Sequence, residues 1–221
     1  MTPEEILQGL YDETLVGNAP RVLELTHEAL SMDMEPQSLL FDALIPSLEE
    51  VGARFERGDF FVPEMLIAGR AMSGSMEVLR PLLAETGAQT VGTFLMSTVK
   101  GDVHDIGKNL VNIMLEGAGF HVIDLGVQVS PEKMIAGVLE HKPDIVGFSA
   151  FLTTTMPMFK ANINALQKAG MRDDVIVMVG GAPVTQEYAD AVGADGYAAD
   201  ASQTVRRAKA LLHEKRATVP A

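Results

Sequence analysis

One histidine in this sequence has neighbours suited to metal or proton chemistry. It is His104, in the run Lys100-Gly101-Asp102-Val103-His104-Asp105-Ile106-Gly107-Lys108-Asn109. Asp102 and His104 are two residues apart, so in an extended segment their side chains point the same way. A carboxylate there accepts from one imidazole nitrogen and leaves the other as a metal ligand of raised basicity. Taken alone, a histidine beside an acid in a loop is more often an exposed or structural residue. Two later segments carry small polar groups and glycines in similar places. They are Ser149-Ala150-Phe151, leading into Leu152-Thr153-Thr154-Thr155, and the pair Gly180-Gly181. By themselves the threonines read as an N-cap cluster and the glycines as a tight strand-to-helix turn.

Asp102-x-His104-x-x-Gly107, Ser149-x-Phe151 and Gly180-Gly181, in this order and spacing, resemble the fingerprint of the B12-binding domain family. The resemblance implies a cobalamin or related corrinoid, as methylcobalamin, cob(I)alamin or hydroxocobalamin. It makes His104 Nε2 the lower axial ligand to cobalt in place of the cofactor's own nucleotide base, the base-off, His-on state. It puts Asp102 on the far side of the imidazole and Thr155 behind that acid. His104, Asp102 and Thr155 are thus the candidate catalytic set. Demethylation weakens the bond from His104, and a proton taken up by the coupled His104–Asp102 unit would compensate the charge change. Gly101, Val103, Asp105, Ile106 and Gly107 fall on the same cofactor loop. Ser149 is expected to hydrogen-bond the displaced base, and Phe151 stands where the family more often has leucine. Gly180 and Gly181 would let the nucleotide tail run close to the backbone. Thr153 and Ala201 are expected along the corrin edge and tail.

These residues need a scaffold, and the chain reads as two halves. Residues 1–87 are helix after helix. Thr2-Pro3-Glu4-Glu5 supplies a capping hydroxyl, a proline at the first helical position and acids in the first turn. That helix should end near Gly17-Asn18. A second is expected over 20–31, a third, unbroken, over 36–57, and a fourth from Pro63 to before Gly87. Short connections suggest an antiparallel four-helix bundle. This half resembles the cap module beside the B12 domain in cobalamin-dependent methionine synthase and in small corrinoid proteins. The resemblance implies that Phe61, with Met65, Ala68, Ala71 or Met72, covers the upper cobalt face; their bland reading is bundle core.

After a linker expected at 84–90, strand and helix alternate. Strands are expected at 91–96, 121–125, 144–148, 175–179 and 196–198, and helices at 107–118, 131–140, 155–169, 184–192 and 202–215. Continuous apolar strands point to a parallel sheet covered on both faces. The fold class is therefore α/β: a helical bundle cap over 1–87, then a flavodoxin-like (Rossmann-like), doubly wound, five-stranded domain over 88–221. Ligands of such sheets lie at the carboxyl ends of the strands, at the topological switch point.

Composition narrows the function. With no cysteine, disulfides, thiolate metal sites and cysteine nucleophiles are excluded. A net charge of −13 disfavours nucleic acid. No apolar run approaches the roughly 20 residues of a membrane span, and the acidic N-terminus is unlike a signal peptide, so a cytoplasmic protein is expected. The resemblance implies a methyl carrier in one-carbon metabolism. Its partners would be a substrate:corrinoid methyltransferase, a corrinoid:tetrahydrofolate or thiol methyltransferase, and a reductive activase. The chain has no barrel to bind the methyl donor, so it is expected to be one component of a methyltransferase system; methanol, methylamines, betaines and aryl methyl ethers all stay open as donors. Competing readings are a mutase cobalamin subunit, a B12-dependent sensor or regulatory module, and a receiver-like or flavin-binding domain.

Overall fold

The computed structural model describes residues 1–86 and 90–218. They form two compact units: Met1–Thr90 with Glu116–Gly119, and Val91–Leu115 with Phe120–Ala221.

The first unit is helical. α1 (Pro3–Leu15) opens on a reciprocal cap: Glu5 N–H donates to the Thr2 hydroxyl, and Thr2 N–H donates to the Glu5 carboxylate. α2 spans Ala19–Ser31. The third helix is not uniform. A short α3 (Pro36–Ser38) passes into a π-helical segment, Leu39–Leu44, and then into α4 (Ile45–Arg57). Pro46 explains the widened turn. It has no N–H to return to the carbonyl four residues back, and its ring crowds that carbonyl. α4 ends at Gly58, which is left-handed with φ 78°. α5 spans Val62–Thr86, so 84–86, expected in a linker, are helical; 87–89 of that expected linker lie outside the described residues. Ile6, Leu10, Val22, Leu25, Leu44, Leu48 and Leu79 are buried. Between α2 and α5 the Thr26 and Ser75 hydroxyls meet at 2.7 Å, which satisfies both in the interior.

The second unit is a five-stranded parallel sheet in the order β2-β1-β3-β4-β5. Its strands are β1 (Thr93–Thr98), β2 (His121–Asp124), β3 (Ile145–Ser149), β4 (Ile176–Gly180) and β5 (Gly196–Ala198). The helices between and after them are α6 (Ile106–Gly117), α7 (Pro131–His141), α8 (Pro157–Lys168), α9 (Gln186–Val192) and α10 (Ala201–Thr218). β1 ends two residues later than its apolar run. Ser97 and Thr98 are polar yet buried, and Thr98 pairs with Ser149 in the ladder. Leu95, Val146, Phe148, Phe159 and Val177 form the core. The strand order turns around β1 and β3, so the loops after those two strands flank the switch point, where doubly wound sheets hold ligands.

Candidate functional site

The loop after β1 begins with a tight turn. Asp102 N–H donates to Val99 O at 3.1 Å, and Gly101 has φ 84°. A positive φ at the third position is what such a turn requires and what glycine supplies without strain. The turn directs the Asp102 side chain inward, where it is fully buried.

A buried carboxylate needs partners, and Asp102 has them on both oxygens. Oδ1 accepts from His104 Nδ1 at 2.7 Å and from His104 N–H at 3.1 Å. Oδ2 accepts from the N–H groups of Phe151 at 2.8 Å and Leu152 at 3.3 Å, and from the Thr155 hydroxyl at 2.7 Å. Thr155 Oγ1 also lies 2.8 Å from Leu152 O. Both neighbours only accept, so the single hydroxyl hydrogen serves one at a time, and the charged acceptor is the stronger. Burial opposes ionisation of Asp102. The hydrogen bonds from His104, Phe151 and Thr155 outweigh it and hold the carboxyl well below the usual range.

The tautomer of His104 follows. An ionised Asp102 can only accept, so in the neutral imidazole Nδ1 carries the hydrogen and Nε2 keeps a free lone pair. The side chain is 45% exposed, which leaves that lone pair open to a ligand. Phe151 stacks on the imidazole, with centroids 4.4 Å apart and planes 28° from parallel. Val103, Phe151 and Leu152 on the same two loops, and Ile106 at the first position of α6, are exposed apolar side chains. Thr98 Oγ1 donates to His104 O at 3.0 Å, tying the loop back to β1.

Three comparisons bear on this arrangement. A B12 binding domain model matches residues 92–206 and a second B12 binding domain model matches residues 6–80. The chain belongs to the B12-binding domain family. A dimethylamine corrinoid protein of Methanosarcina barkeri is 41% identical over 96% of this chain and 100% of its own. In the methanol:cobalamin methyltransferase complex MtaBC of the same organism, a chain superposes with a TM-score of 0.83. It is 29% identical, with 96% of this chain and 81% of that one covered. The Methanosarcina barkeri monomethylamine corrinoid protein gives a TM-score of 0.54 at 33% identity, over 95% of this chain and 100% of that one.

The donor set fits a B12 cofactor. Among the described residues no group of three or more His, Asp or Glu could hold a metal ion. One imidazole holds a metal firmly only if most of the coordination comes with the metal, which is what a corrin ring provides. Open space at Gly107 agrees, since a Cβ there would meet nothing within 4 Å. The protein's own packing therefore gives no reason for a glycine at that position of the fingerprint.

Other residues singled out in the sequence fall as follows. Ser149 ends β3 half-buried, Thr153 and Asp105 are exposed, and Ala201 is buried at the start of α10. Gly181 has φ 132°, and a Cβ on it would lie 1.9 Å from Ala150 O. An added Cβ there would meet the protein's own backbone. Gly180 is looser, its Cβ position 3.4 Å from Ala198 O. In the first unit Phe61 is exposed, with its N–H on Glu64 at 2.9 Å. Met65, Ala68, Ala71 and Met72 are buried.

Sequence reasoning missed Lys108. It is 3% exposed and pairs with Asp124 at the end of β2. Asp124 also accepts from Asn112 Nδ2 at 3.0 Å and Gly126 N–H at 2.8 Å. This cluster fastens the first turn of α6, just after His104, to the edge of the sheet. The signal was a lysine two residues into a helix beside the fingerprint, where a solvated charge is the ordinary reading.

Proposed function

We propose that this protein carries a methyl group on the cobalt of a bound corrinoid, in the base-off, His-on state, between a substrate:corrinoid methyltransferase and an acceptor methyltransferase. One observation carries the reading: an imidazole with Nδ1 fixed on a buried carboxylate and Nε2 free, at the switch point of a B12-binding fold. When bound, the corrinoid supplies a cobalt that accepts a methyl group as a cation and gives it up again, the chemistry no amino acid offers.

The chain's residues bind and tune. His104 would hold the cobalt through Nε2, and Asp102 holds its ring in one tautomer. Thr155, with the Phe151 and Leu152 N–H groups, keeps Asp102 ionised and gives a proton a way to and from Oδ2. Val103, Ile106 and Phe151 would shield a bound corrinoid from water, Gly101 would shape the loop that holds it, and Gly107 would leave room for it. Ser149, Gly180 and Gly181 would lie along the nucleotide tail, and Thr153 and Ala201 along the corrin edge and tail. Residues 88–221 form the cobalamin-binding domain and 1–87 the cap domain, in which Phe61, with Met65, Ala68, Ala71 or Met72, would cover the upper cobalt face.

The near full-length likeness to proteins named for dimethylamine corrinoid function supports the carrier over the mutase subunit and the sensor. The likeness to a chain of a methyltransferase complex supports a methyltransferase as loading partner. A tetrahydrofolate- or thiol-dependent methyltransferase as acceptor and a reductive activase complete the cycle. No helix among the described residues is long and apolar enough to cross a membrane, and the working place proposed is the cytoplasm.

The test is reconstitution with hydroxocobalamin, followed by reduction to cobalt(II) and electron paramagnetic resonance. Axial nitrogen splitting that appears with 15N-histidine shifts and vanishes in His104→Ala supports the reading. A cofactor that keeps its own benzimidazole nitrogen, or does not bind, rejects it.

A further inference from the structure

We infer that Phe151 is a positioning residue for His104: its ring fixes the plane of the imidazole before a metal arrives, so Nε2 is presented in one direction. The inference rests on the ligand role proposed for His104. It starts from three observations. The two rings stack at 4.4 Å with planes 28° apart. The Phe151 backbone is pinned, since its N–H donates to Asp102 Oδ2 at 2.8 Å. Asp102 Oδ1 in turn accepts from His104 Nδ1 at 2.7 Å.

One hydrogen bond at Nδ1 does not fix a ring. The imidazole can still tilt about the line from its Cβ to that bond, and Nε2 sweeps an arc as it does. A flat aromatic face against the ring removes that freedom on one side, in the offset geometry aromatic pairs prefer. Asp102 anchors both partners, holding the ring of His104 and the backbone of Phe151, so the stack is built on a single buried carboxylate. Phe151 is 52% exposed, so it contributes little to the core and its ring is available for this task. Leucine, which the family more often has at this position, fills similar volume but offers no planar face. Fixing one rotor ahead of binding is worth roughly 2- to 10-fold in affinity.

The experiment compares Phe151→Leu, Phe151→Ala and Phe151→Tyr in the full chain. In the cofactor-free protein, proton NMR of the His104 ring reads the stack directly. The leucine and alanine variants should move its C–H signals downfield as the ring current is lost, and tyrosine should restore them. In the cobalt(II)-loaded protein, nitrogen splitting should be broadened in Leu and Ala. Hydroxocobalamin should bind both roughly 2- to 10-fold more weakly. Tyrosine should match the parent in each, and thermal midpoints should agree among all four, since the residue is half exposed. A Phe151→Leu protein with unchanged splitting and unchanged affinity overturns the positioning role. Absence of histidine nitrogen splitting in the parent protein removes the ligand reading, and this inference with it, while the NMR comparison still reports whether the rings stack.

Discussion

Asp102 offers two oxygens and receives five hydrogen bonds, three of them from residues about fifty positions downstream. An amide cannot replace it, because its NH2 end would face donors on one side or the other. Asp102→Asn should therefore cost about 3 kcal/mol in urea unfolding, the scale of buried donors left without acceptors. The pH dependence has a definite sign. The carboxyl is held below its ordinary value in the folded chain, so its contribution is complete above the unfolded value of about 3.9. It is lost as pH falls below that, where the unfolded chain takes up the proton first. Urea midpoints between pH 3 and pH 7 should fall toward acid in the parent, and this component of the slope should be missing in Asp102→Asn. An equal slope in both would reject the assignment.

Among elements, two glycines of the fingerprint behave in opposite ways. At Gly181 a Cβ would lie 1.9 Å from Ala150 O on a backbone with φ 132°, so Gly181→Ala should destabilise the sheet unit by about 3 kcal/mol or more without any cofactor. At Gly107, near the start of α6, nothing lies within 4 Å. Gly107→Ala should leave the cofactor-free protein as stable or up to about 1 kcal/mol more stable, yet weaken hydroxocobalamin binding. Thermal melts with and without the ligand separate the two. The Lys108–Asp124 pair gives a further element-scale expectation. Lys108→Met should be mild, whereas Asp124→Asn, which leaves a buried ammonium on Asn109 Oδ1 without its counter-charge, should cost about 3 kcal/mol, measured by chemical denaturation.

Much of this site can be read without coordinates, and the reasons are local. A two-residue spacing is enough to turn Asp102 and His104 the same way, and the resemblance placed Thr155 behind them. Strand ends were misplaced where burial and polarity disagree, as at Ser97 and Thr98. The π segment was invisible because its cause, Pro46, looks no different from a helix-starting proline. Phe61 and Met65 share a short stretch of sequence, but only the three-dimensional packing separates the exposed ring from the core side chain. The fastening of Lys108 needs a partner sixteen residues away, which periodicity does not reveal.

For the whole molecule, two units with separate cores need not melt together. Hydroxocobalamin at about 100 times its dissociation constant should stabilise what it binds by about 2.7 kcal/mol. Hydrogen exchange should show that protection at the Phe151 and Leu152 amides, which already sit on Asp102. Protection confined to the helices of 1–86 would contradict the site.

Val103, Ile106, Phe151 and Leu152 stay wet until something covers them. A chain without its vitamin therefore presents a greasy spot, of the kind that makes proteins stick to one another. Its shelf life in dilute buffer should be shorter than that of the loaded form, with light scattering rising first in the empty sample.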